Sequence, residues 1–205
     1  SDLVATIRRD VHGWLSLMVA EATTWRPAYF EWGFGRVPGP RDQGSLAEAV
    51  ALPEGYVLRG AIDLIELHLS SGEARVTDYK TGKAPARTGV TVIGGGRLLQ
   101  PVLYADVAAQ AFGTPVRESR LLYSTSAGRF TVDTIPVSDV TRRAGIEALE
   151  VVDRAIEHGV FPAAPLESAC EWCDVRPVCG PEAARGAQTK SHAPLADLTA
   201  LRSRP

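Results

Sequence analysis

Two short stretches decide the fold of this chain: Leu58-Arg-Gly-Ala-Ile-Asp63-Leu-Ile-Glu66 and Val76-Thr-Asp78-Tyr-Lys80-Thr-Gly-Lys83. The first is rich in Leu and Ile and the second in Val, Thr and Tyr, a composition typical of β-strands. Between them, Ser70-Ser-Gly-Glu73 has the composition of a tight turn. The two stretches therefore predict an antiparallel β-hairpin.

The second strand of this hairpin carries an acid and an amine two residues apart. Because side chains alternate between the two faces of a strand, Asp78 and Lys80 are predicted to point one way and Tyr79 the other. The antiparallel partner strand can bring Asp63 alongside them. Two carboxylates suit a hard divalent cation such as Mg²⁺, and such a site can hydrolyse phosphodiesters.

Each residue type has a separate role in this interpretation. The cation polarises a phosphoryl oxygen and activates a bound water, while Lys80 positions that water or stabilises the charge on the phosphate. An isolated Asp-x-Lys, however, is more often an ordinary ion pair on a solvated sheet face. The residues that flank Asp78 and Lys80 are therefore needed to distinguish the two interpretations.

The flanking residues favour the catalytic interpretation. Gly60-Ala-Ile-Asp63, followed by Asp78-Tyr-Lys80-Thr-Gly-Lys83, resembles the PD-(D/E)xK nuclease superfamily, in its branch of RecB-, AddB- and Cas4-like nuclease domains. The resemblance implies an α/β fold with a mixed central β-sheet flanked by helices, a restriction-endonuclease-like core. It also implies a metal-dependent deoxyribonuclease in which Asp63, Asp78 and the backbone carbonyl of Tyr79 hold Mg²⁺ or Mn²⁺ and Lys80 is catalytic. DNA is then the substrate, often with a fused or separate helicase as partner.

A helix predicted to start near Gln100 carries a second motif. Pro101 is tolerated there because it falls in the first helical turn. Gln100 and Tyr104 lie four residues apart on one face and match a Gln-x-x-x-Tyr motif of the same nuclease branch, which implies DNA binding. Ordinary surface and core-edge positions are the alternative. Lys83, before the Gly-rich loop at 84–97, would add positive charge for DNA.

The N-terminal region offers two weaker candidates. Residues 3–22 have apolar side chains at helical spacing and predict an amphipathic helix that carries His12. A His on such a helix is often a metal ligand in the resembled family, although a surface His is the default. Residues 28–35 predict the first strand, where Glu31 matches a Glu of the family that could support the metal ligands. Ordinary structural pairing of Glu31 is the alternative.

The remaining elements of the predicted core carry no candidate catalytic group. Residues 119–126 and 129–135 alternate around Ala127-Gly128 and predict a second hairpin that completes the sheet. Ser138 is a candidate N-cap for a following helix, whose apolar side chains would cover the sheet.

All three cysteines fall within one short stretch, Cys170-Glu-Trp-Cys173-Asp-Val-Arg-Pro-Val-Cys179. Their odd number, in a chain predicted to be cytosolic, argues against disulfides. Thiolates at these spacings can wrap a zinc ion or an iron–sulfur cluster, and each of these wants four ligands. In the AddB- and Cas4-like branches a similar segment completes a four-iron cluster with one upstream Cys. The resemblance therefore implies a [4Fe-4S] cluster held by Cys170, Cys173 and Cys179, with a fourth Cys absent from this chain; free thiols are the alternative.

Length, composition and charge set wider limits. With 205 residues, 45% of them hydrophobic, the chain fits one domain with an appendage. A net charge of −2 argues against a basic coat but permits a local basic groove. No apolar run reaches the length of a membrane span and no leader opens the chain, so we predict a cytoplasmic protein without a membrane partner. Because it begins Ser1-Asp2 without Met, we expect a piece of a larger polypeptide.

These predictions divide the chain into a nuclease core with its N-terminal helix at 1–165, a cysteine segment at 166–182 and a disordered tail at 183–205. Two other functions compete. A DNA-binding module could keep the fold but be catalytically weak or inactive, as in some helicase–nuclease complexes; the intact acids and lysine argue against it. A zinc-ribbon-like interaction domain would leave the Asp-Tyr-Lys-Thr-Gly-Lys string unexplained.

Overall fold

The computed structural model describes residues 2–36, 39, 41–86, 92–161, 163–165, 169–180, 182, 185–186, 189 and 195–204. The chain forms two compact units, Ser1–Ile146 and Glu147–Arg204. The boundary between them falls earlier than the end of the core predicted at residue 165.

The first unit contains most of the regular structure. Its elements in chain order are α1 (Asp2–Glu21), β1 (Trp25–Phe34), β2 (Val50–Ala51), β3 (Val57–Leu58), β4 (Gly60–His68), β5 (Ala74–Lys80), a short 3₁₀ turn (Gly94–Gly96), α2 (Leu99–Phe112), β6 (Val116–Tyr123) and β7 (Val132–Pro136). Helix α3 (Asp139–Glu157) crosses into the second unit, which adds a 3₁₀ turn (Ala169–Trp172), α4 (Arg176–Cys179) and α5 (Ala196–Arg202).

A five-stranded sheet in the order β1-β4-β5-β6-β7 forms the centre of the first unit. Strands β4 and β5 pair antiparallel, as the hairpin prediction required, whereas β5 and β6 pair parallel. A parallel pair needs a long crossover connection, and α2 lies in it. The predicted α/β fold with a mixed central sheet flanked by helices is confirmed. No helix among the described residues is long and apolar enough to cross a membrane.

Helix α2 packs on one face of the sheet. Its first turn accommodates the buried Pro101, and it ends at Gly113, which adopts a left-handed φ of 60° that glycine tolerates. The apolar core here combines side chains of α2 with those of the strands: Trp32, Phe34, Ile62, Ile65, Val76, Ala105, Val107, Ala108 and Val116. This packing fixes the strands that carry the acids predicted from the sequence.

A buried charge cluster of Glu21, Glu66, Arg75 and Arg120 joins α1 to β4, β5 and β6. The side chain of Glu66 is only 1% exposed and accepts two hydrogen bonds from Arg75, of 2.8 and 2.9 Å. Arg120 donates to the same carboxylate over 3.0 Å. Thr77 also takes part in this cluster, because its hydroxyl donates a hydrogen bond of 3.2 Å to Glu66 and accepts one of 2.7 Å from Arg120.

Glu21 at the end of α1 completes the charge cluster. Its carboxylate accepts hydrogen bonds of 2.7 Å from both Arg75 and Arg120. Burial raises the pKa of Glu21, but the hydrogen bonds and charges of the two arginines outweigh it and hold the pKa below its ordinary value. No described residue of α1 is fully buried, so these ion pairs are a principal attachment of the helix to the sheet.

The C-terminal tail differs from its prediction over Ala196–Arg202, which is helical and not disordered. Leu198 and Leu201, three residues apart on this helix, line an apolar cavity together with Val151 of α3. Asp197 also accepts a hydrogen bond of 3.0 Å from Arg154. These contacts order a segment whose own periodicity is too short to be recognised in the sequence. Residues 183–184, 187–188 and 190–194 lie outside the described residues.

Replacing one carboxylate of the charge cluster should destabilise the fold strongly. In Glu66→Gln, the two buried arginines keep Glu21 but lose the more deeply buried of their two carboxylate partners, and breaking such a buried pair costs about 3–5 kcal/mol in the free energy of unfolding. Glu118→Gln is the matched control, because Glu118 is partly exposed and contacts Arg75 only over 3.4 Å; we expect it to cost at most about 1 kcal/mol. Urea unfolding followed by circular dichroism measures both, and equal losses would contradict the assigned role of Glu66.

Candidate active site

The two candidate acids lie where the pairing of β4 with β5 ends. The register runs from Leu67↔Ala74 to Leu64↔Thr77, so Asp63 and Asp78 are the next residues on the two strands. There the main-chain N–H of Tyr79 donates a hydrogen bond of 2.7 Å to Asp63 Oδ2. The side chain of Asp63 thus accepts a hydrogen bond from the main chain of β5, and this bond keeps Asp63 close to Asp78.

Asp78 and Lys80 share one side of β5. Lys80 Nζ lies 2.5 Å from Asp78 Oδ2, and the two side chains are 39% and 9% exposed, respectively. Tyr79 instead packs edge-on against Trp14 of α1, with the ring centroids 6.0 Å apart. This is the arrangement that strand alternation predicts, with the acid and the amine together and the tyrosine apart from them.

Burial is the main influence on the acidity of Asp78 and raises its pKa above the ordinary range. The nearby Lys80 opposes this shift by favouring the ionised form, while the charge of Asp63 adds to it. Two carboxylates with one partly exposed ammonium leave this end of the sheet short of positive charge. A cation bound between the acids would relieve that shortage.

The residues present fit an oxygen-liganded divalent cation. Asp78 Oδ2 is shielded from solvent and, apart from its ion pair with Lys80, makes no well-aligned hydrogen bond among the described residues. Mg²⁺ keeps several waters and needs only one or two protein carboxylates. Asp63 and Asp78, with the main-chain carbonyl of Tyr79, are the groups that would hold it. Within the described ranges, no group of three or more His, Cys, Asp or Glu side chains forms a larger metal site.

The N-terminal candidates are not brought into this group. The carboxylate of Glu31 is 58% exposed and lies 3.5 Å from Arg41. Glu31 also has a positive φ of 49°, while the pairing of β1 with β4 keeps the same register before and after it. His12 is exposed on α1. Within the described part of the chain, no hydrogen bond or ion pair joins His12 or Glu31 to Asp63, Asp78 or Lys80, and support of the metal ligands by either residue stays a prediction.

The Gln-x-x-x-Tyr pair splits between surface and core edge. Gln100 is exposed, whereas Tyr104 is half-buried and packs edge-on against Phe34 with centroids 5.7 Å apart. Tyr104 also explains Gly60, because a side chain at that position would lie 2.8 Å from the tyrosine hydroxyl. The first residue of the Gly-x-x-Asp motif is therefore small so that Tyr104 can pack on β4. Lys83 is exposed beyond the end of β5.

The three cysteines line a common cavity of about 660 Å³ in the second unit, together with Pro165, Arg176 and Glu182 among others. All three are free thiols, Cys173 and Cys179 exposed and Cys170 half-buried. They do not form a ready metal-binding group in the described part of the chain. A metal centre held by the three cysteines therefore stays a prediction.

Removing the buried charge of Asp78 should stabilise the metal-free protein. Because the pKa of Asp78 is raised in the folded state, its contribution to stability is present below the unfolded pKa and is lost as the pH rises through the folded pKa. At neutral pH, Asp78→Asn should therefore raise the Tm, by roughly 2–4 °C for each kcal/mol gained in a chain of this size.

The response to metal provides the matching control. Millimolar Mg²⁺ or Mn²⁺ should raise the Tm of the wild type and of the surface variant Asp153→Asn but not that of Asp78→Asn, since only ligands of the native state stabilise it. Differential scanning calorimetry at neutral pH measures all three proteins. An equal metal-induced rise in Asp78→Asn would show that the cation binds elsewhere.

Comparison with known proteins agrees with this geometry. A family model described as the PD-(D/E)XK nuclease superfamily matches residues 3–180. The Gene 69 protein of Mycobacterium phage D29 is 29% identical over 129 residues, which cover 62% of this chain and 44% of the phage protein. The match thus spans less than half of that relative. The family match takes in both aspartates, the lysine and the mixed sheet that presents them, and the chain belongs to the PD-(D/E)XK nuclease superfamily.

Proposed function

We propose that this chain is a metal-dependent deoxyribonuclease that hydrolyses the phosphodiester bonds of DNA. The observation that carries this proposal is the grouping of Asp63, Asp78 and Lys80 where the pairing of β4 with β5 ends. Membership in a nuclease superfamily supports the class of reaction. The choice of DNA as substrate comes from the resemblance to RecB-, AddB- and Cas4-like domains.

Each residue of the group has a distinct task. A bound Mg²⁺ or Mn²⁺ would supply Lewis acidity to the scissile phosphate. Asp63, Asp78 and the carbonyl of Tyr79 are the groups proposed to hold it. One donor of Lys80 engages Asp78, and an ammonium has three, so the others are available for the phosphate or for the attacking water. The charge of Lys80 would then stabilise the negative charge that develops on the phosphate.

The proposed DNA contacts are Gln100, Tyr104 and Lys83. Gln100 and Lys83 are exposed, so both side chains are free to reach a strand. Tyr104 is anchored by Phe34, which leaves only part of its ring for contact with DNA. Because the net charge is −2, phosphate binding has to come from such local groups and not from a general basic surface.

Within the superfamily, we propose membership in the RecB-, AddB- and Cas4-like branch. Cys170, Cys173 and Cys179 are then three ligands of a [4Fe-4S] cluster, and the cavity that they share supports this. A helicase domain or subunit as partner follows from the resemblance alone. The whole protein would act in DNA repair or recombination.

Cleavage assays test the reaction. With Mg²⁺ or Mn²⁺, the wild type should cut labelled DNA, and Asp63→Ala, Asp78→Ala and Lys80→Ala should each lose about 10²-fold or more in rate, as for groups that stabilise the transition state. Asp153→Asn, at an exposed position on α3, is the control and should cut like the wild type. Excess chelator should abolish cutting.

The same variants separate the competing functions. Cutting that survives in Asp78→Ala or in chelator would refute the proposed chemistry. A wild type that binds DNA in anisotropy measurements without cutting it would instead support the inactive DNA-binding module.

Metal analysis tests the cysteine site. Protein purified without oxygen, as the longest polypeptide that contains this chain, should be brown and contain iron and acid-labile sulfide, and Cys173→Ser should lose both. The nuclease sheet should keep its circular dichroism in that variant, because the cysteines lie in the second unit. A colourless protein that contains zinc would show that the cysteines bind zinc instead. Three freely titrating thiols would exclude both the zinc site and the iron–sulfur cluster.

A further inference from the structure

The loop between β6 and β7, residues 124–131, runs beside the main chain that follows the end of β5. The parallel pairing of β5 with β6 reaches Lys80↔Tyr123, and the N–H of Ser124 then donates to the carbonyl of Lys80 over 3.0 Å. The hydroxyl of Thr125 continues this by donating to the carbonyl of Thr81 over 3.0 Å. The main chain at and after Lys80 is thus held by hydrogen bonds from this loop, which we name the brace.

Thr125 is the centre of the brace. Its hydroxyl accepts a hydrogen bond of 3.2 Å from the N–H of Gly128, and its carbonyl accepts one of 3.2 Å from Phe130. A side chain at Gly128 would come 2.6 Å from the Cβ of Tyr123 and 2.8 Å from the carbonyl of Gly82, which lies just beyond the end of β5. A hydroxyl at 125 and glycine at 128 are both needed for the brace to approach this closely.

Helix α1 fixes the far side of the brace at two points. The carboxylate of Asp10 accepts a hydrogen bond of 2.8 Å from the N–H of Ser126. The ring of Phe130 fills the space beside Gly13, where any side chain would overlap it. The brace therefore connects α1 to the segment that follows Lys80.

The backbone of the brace is strained. Arg129 and Phe130 have consecutive positive φ values of 54° and 51°, a conformation that L-residues with side chains rarely adopt. Such strain persists only where surrounding contacts hold it, and it concentrates near functional sites. The contacts of Thr125, Ser126 and Phe130 are the ones that hold it here.

We propose that Thr125 and Gly128 are positioning residues, which fix the main chain at Lys80–Gly82 and thereby direct the Lys80 side chain beside Asp78. The proposal rests on the proposed function for its effect on catalysis, but not for its effect on the segment. Neither residue contacts the reacting atoms. Loss of the brace leaves the acids in place and lets the lysine move.

Thr125→Val tests the role of the Thr125 hydroxyl with little change of shape, because it replaces the hydroxyl by a methyl group of similar size. Hydrogen–deuterium exchange of peptides covering residues 79–86 should become at least severalfold faster in Thr125→Val and in Gly128→Ala. Thr125→Ser keeps a hydroxyl and should remain protected. Thr114→Val is the matched control, since the Thr114 hydroxyl donates to a main-chain carbonyl before β6, over 3.4 Å; its peptides at 79–86 should exchange like the wild type.

Cleavage kinetics supply the second readout. Thr125→Val should lower kcat about 10- to 100-fold, as a misplaced group does, while the KM for DNA stays within about threefold and Thr125→Ser restores the rate. Faster exchange at 79–86 with an unchanged kcat, or unchanged exchange in both Thr125→Val and Gly128→Ala, would overturn the proposal. An inactive wild type would refute the proposed nuclease, whereas the exchange data would still decide whether the brace holds this segment.

Discussion

Two arginines buried on one face of a β-sheet require two carboxylates, and this requirement organises the first unit. Arg75 and Arg120 stand on neighbouring parallel strands, so their charges would repel each other without Glu66 between them and Glu21 above. Arg75 also lies over the ring of Trp25, 4.3 Å from its centroid. These contacts fix strands β4, β5 and β6 and the end of α1 relative to one another without any contribution from the candidate catalytic groups.

The candidate active site depends on this fixation because its groups come from the same strands. Glu66 lies three residues after Asp63 on β4, and Thr77, which bonds Glu66, directly precedes Asp78 on β5. A shift of one residue between these strands would reverse the face on which each acid lies. Helix α1 contributes twice, through Glu21 at one end and through Asp10 at the brace. The charge cluster thus holds β4, β5 and β6 to α1, and the brace holds the main chain at and after Lys80.

Local signals in the sequence were sufficient for the strands of the central sheet and for helices α1, α2 and α3, but not for β2, β3 or the short C-terminal helices. Period-two alternation predicted that Asp78 and Lys80 share a side, and Pro101 marked the start of α2. The contacts that position these elements could not be predicted in this way. Arg120 bonds Glu66, 54 residues away in the sequence, and Glu21, 99 residues away. No local sequence pattern indicates contacts between residues so far apart. A buried arginine on a strand also looks in sequence like an exposed one.

The same electrostatics separates the structural acid of the charge cluster from the acid that is proposed to hold a metal. Glu66 and Asp78 are both buried carboxylates on adjacent strands, but their surroundings differ. Glu66 accepts hydrogen bonds from two guanidinium groups and a hydroxyl. The two guanidinium charges offset its own charge, so a metal cation would not be attracted to it. Asp78 has one partly exposed ammonium and a second carboxylate nearby, and its pKa is raised. An acid whose burial is only partly offset is costly to keep ionised, and that cost is recovered when a cation binds. Of the two buried acids, Asp78 is therefore the one suited to hold a metal.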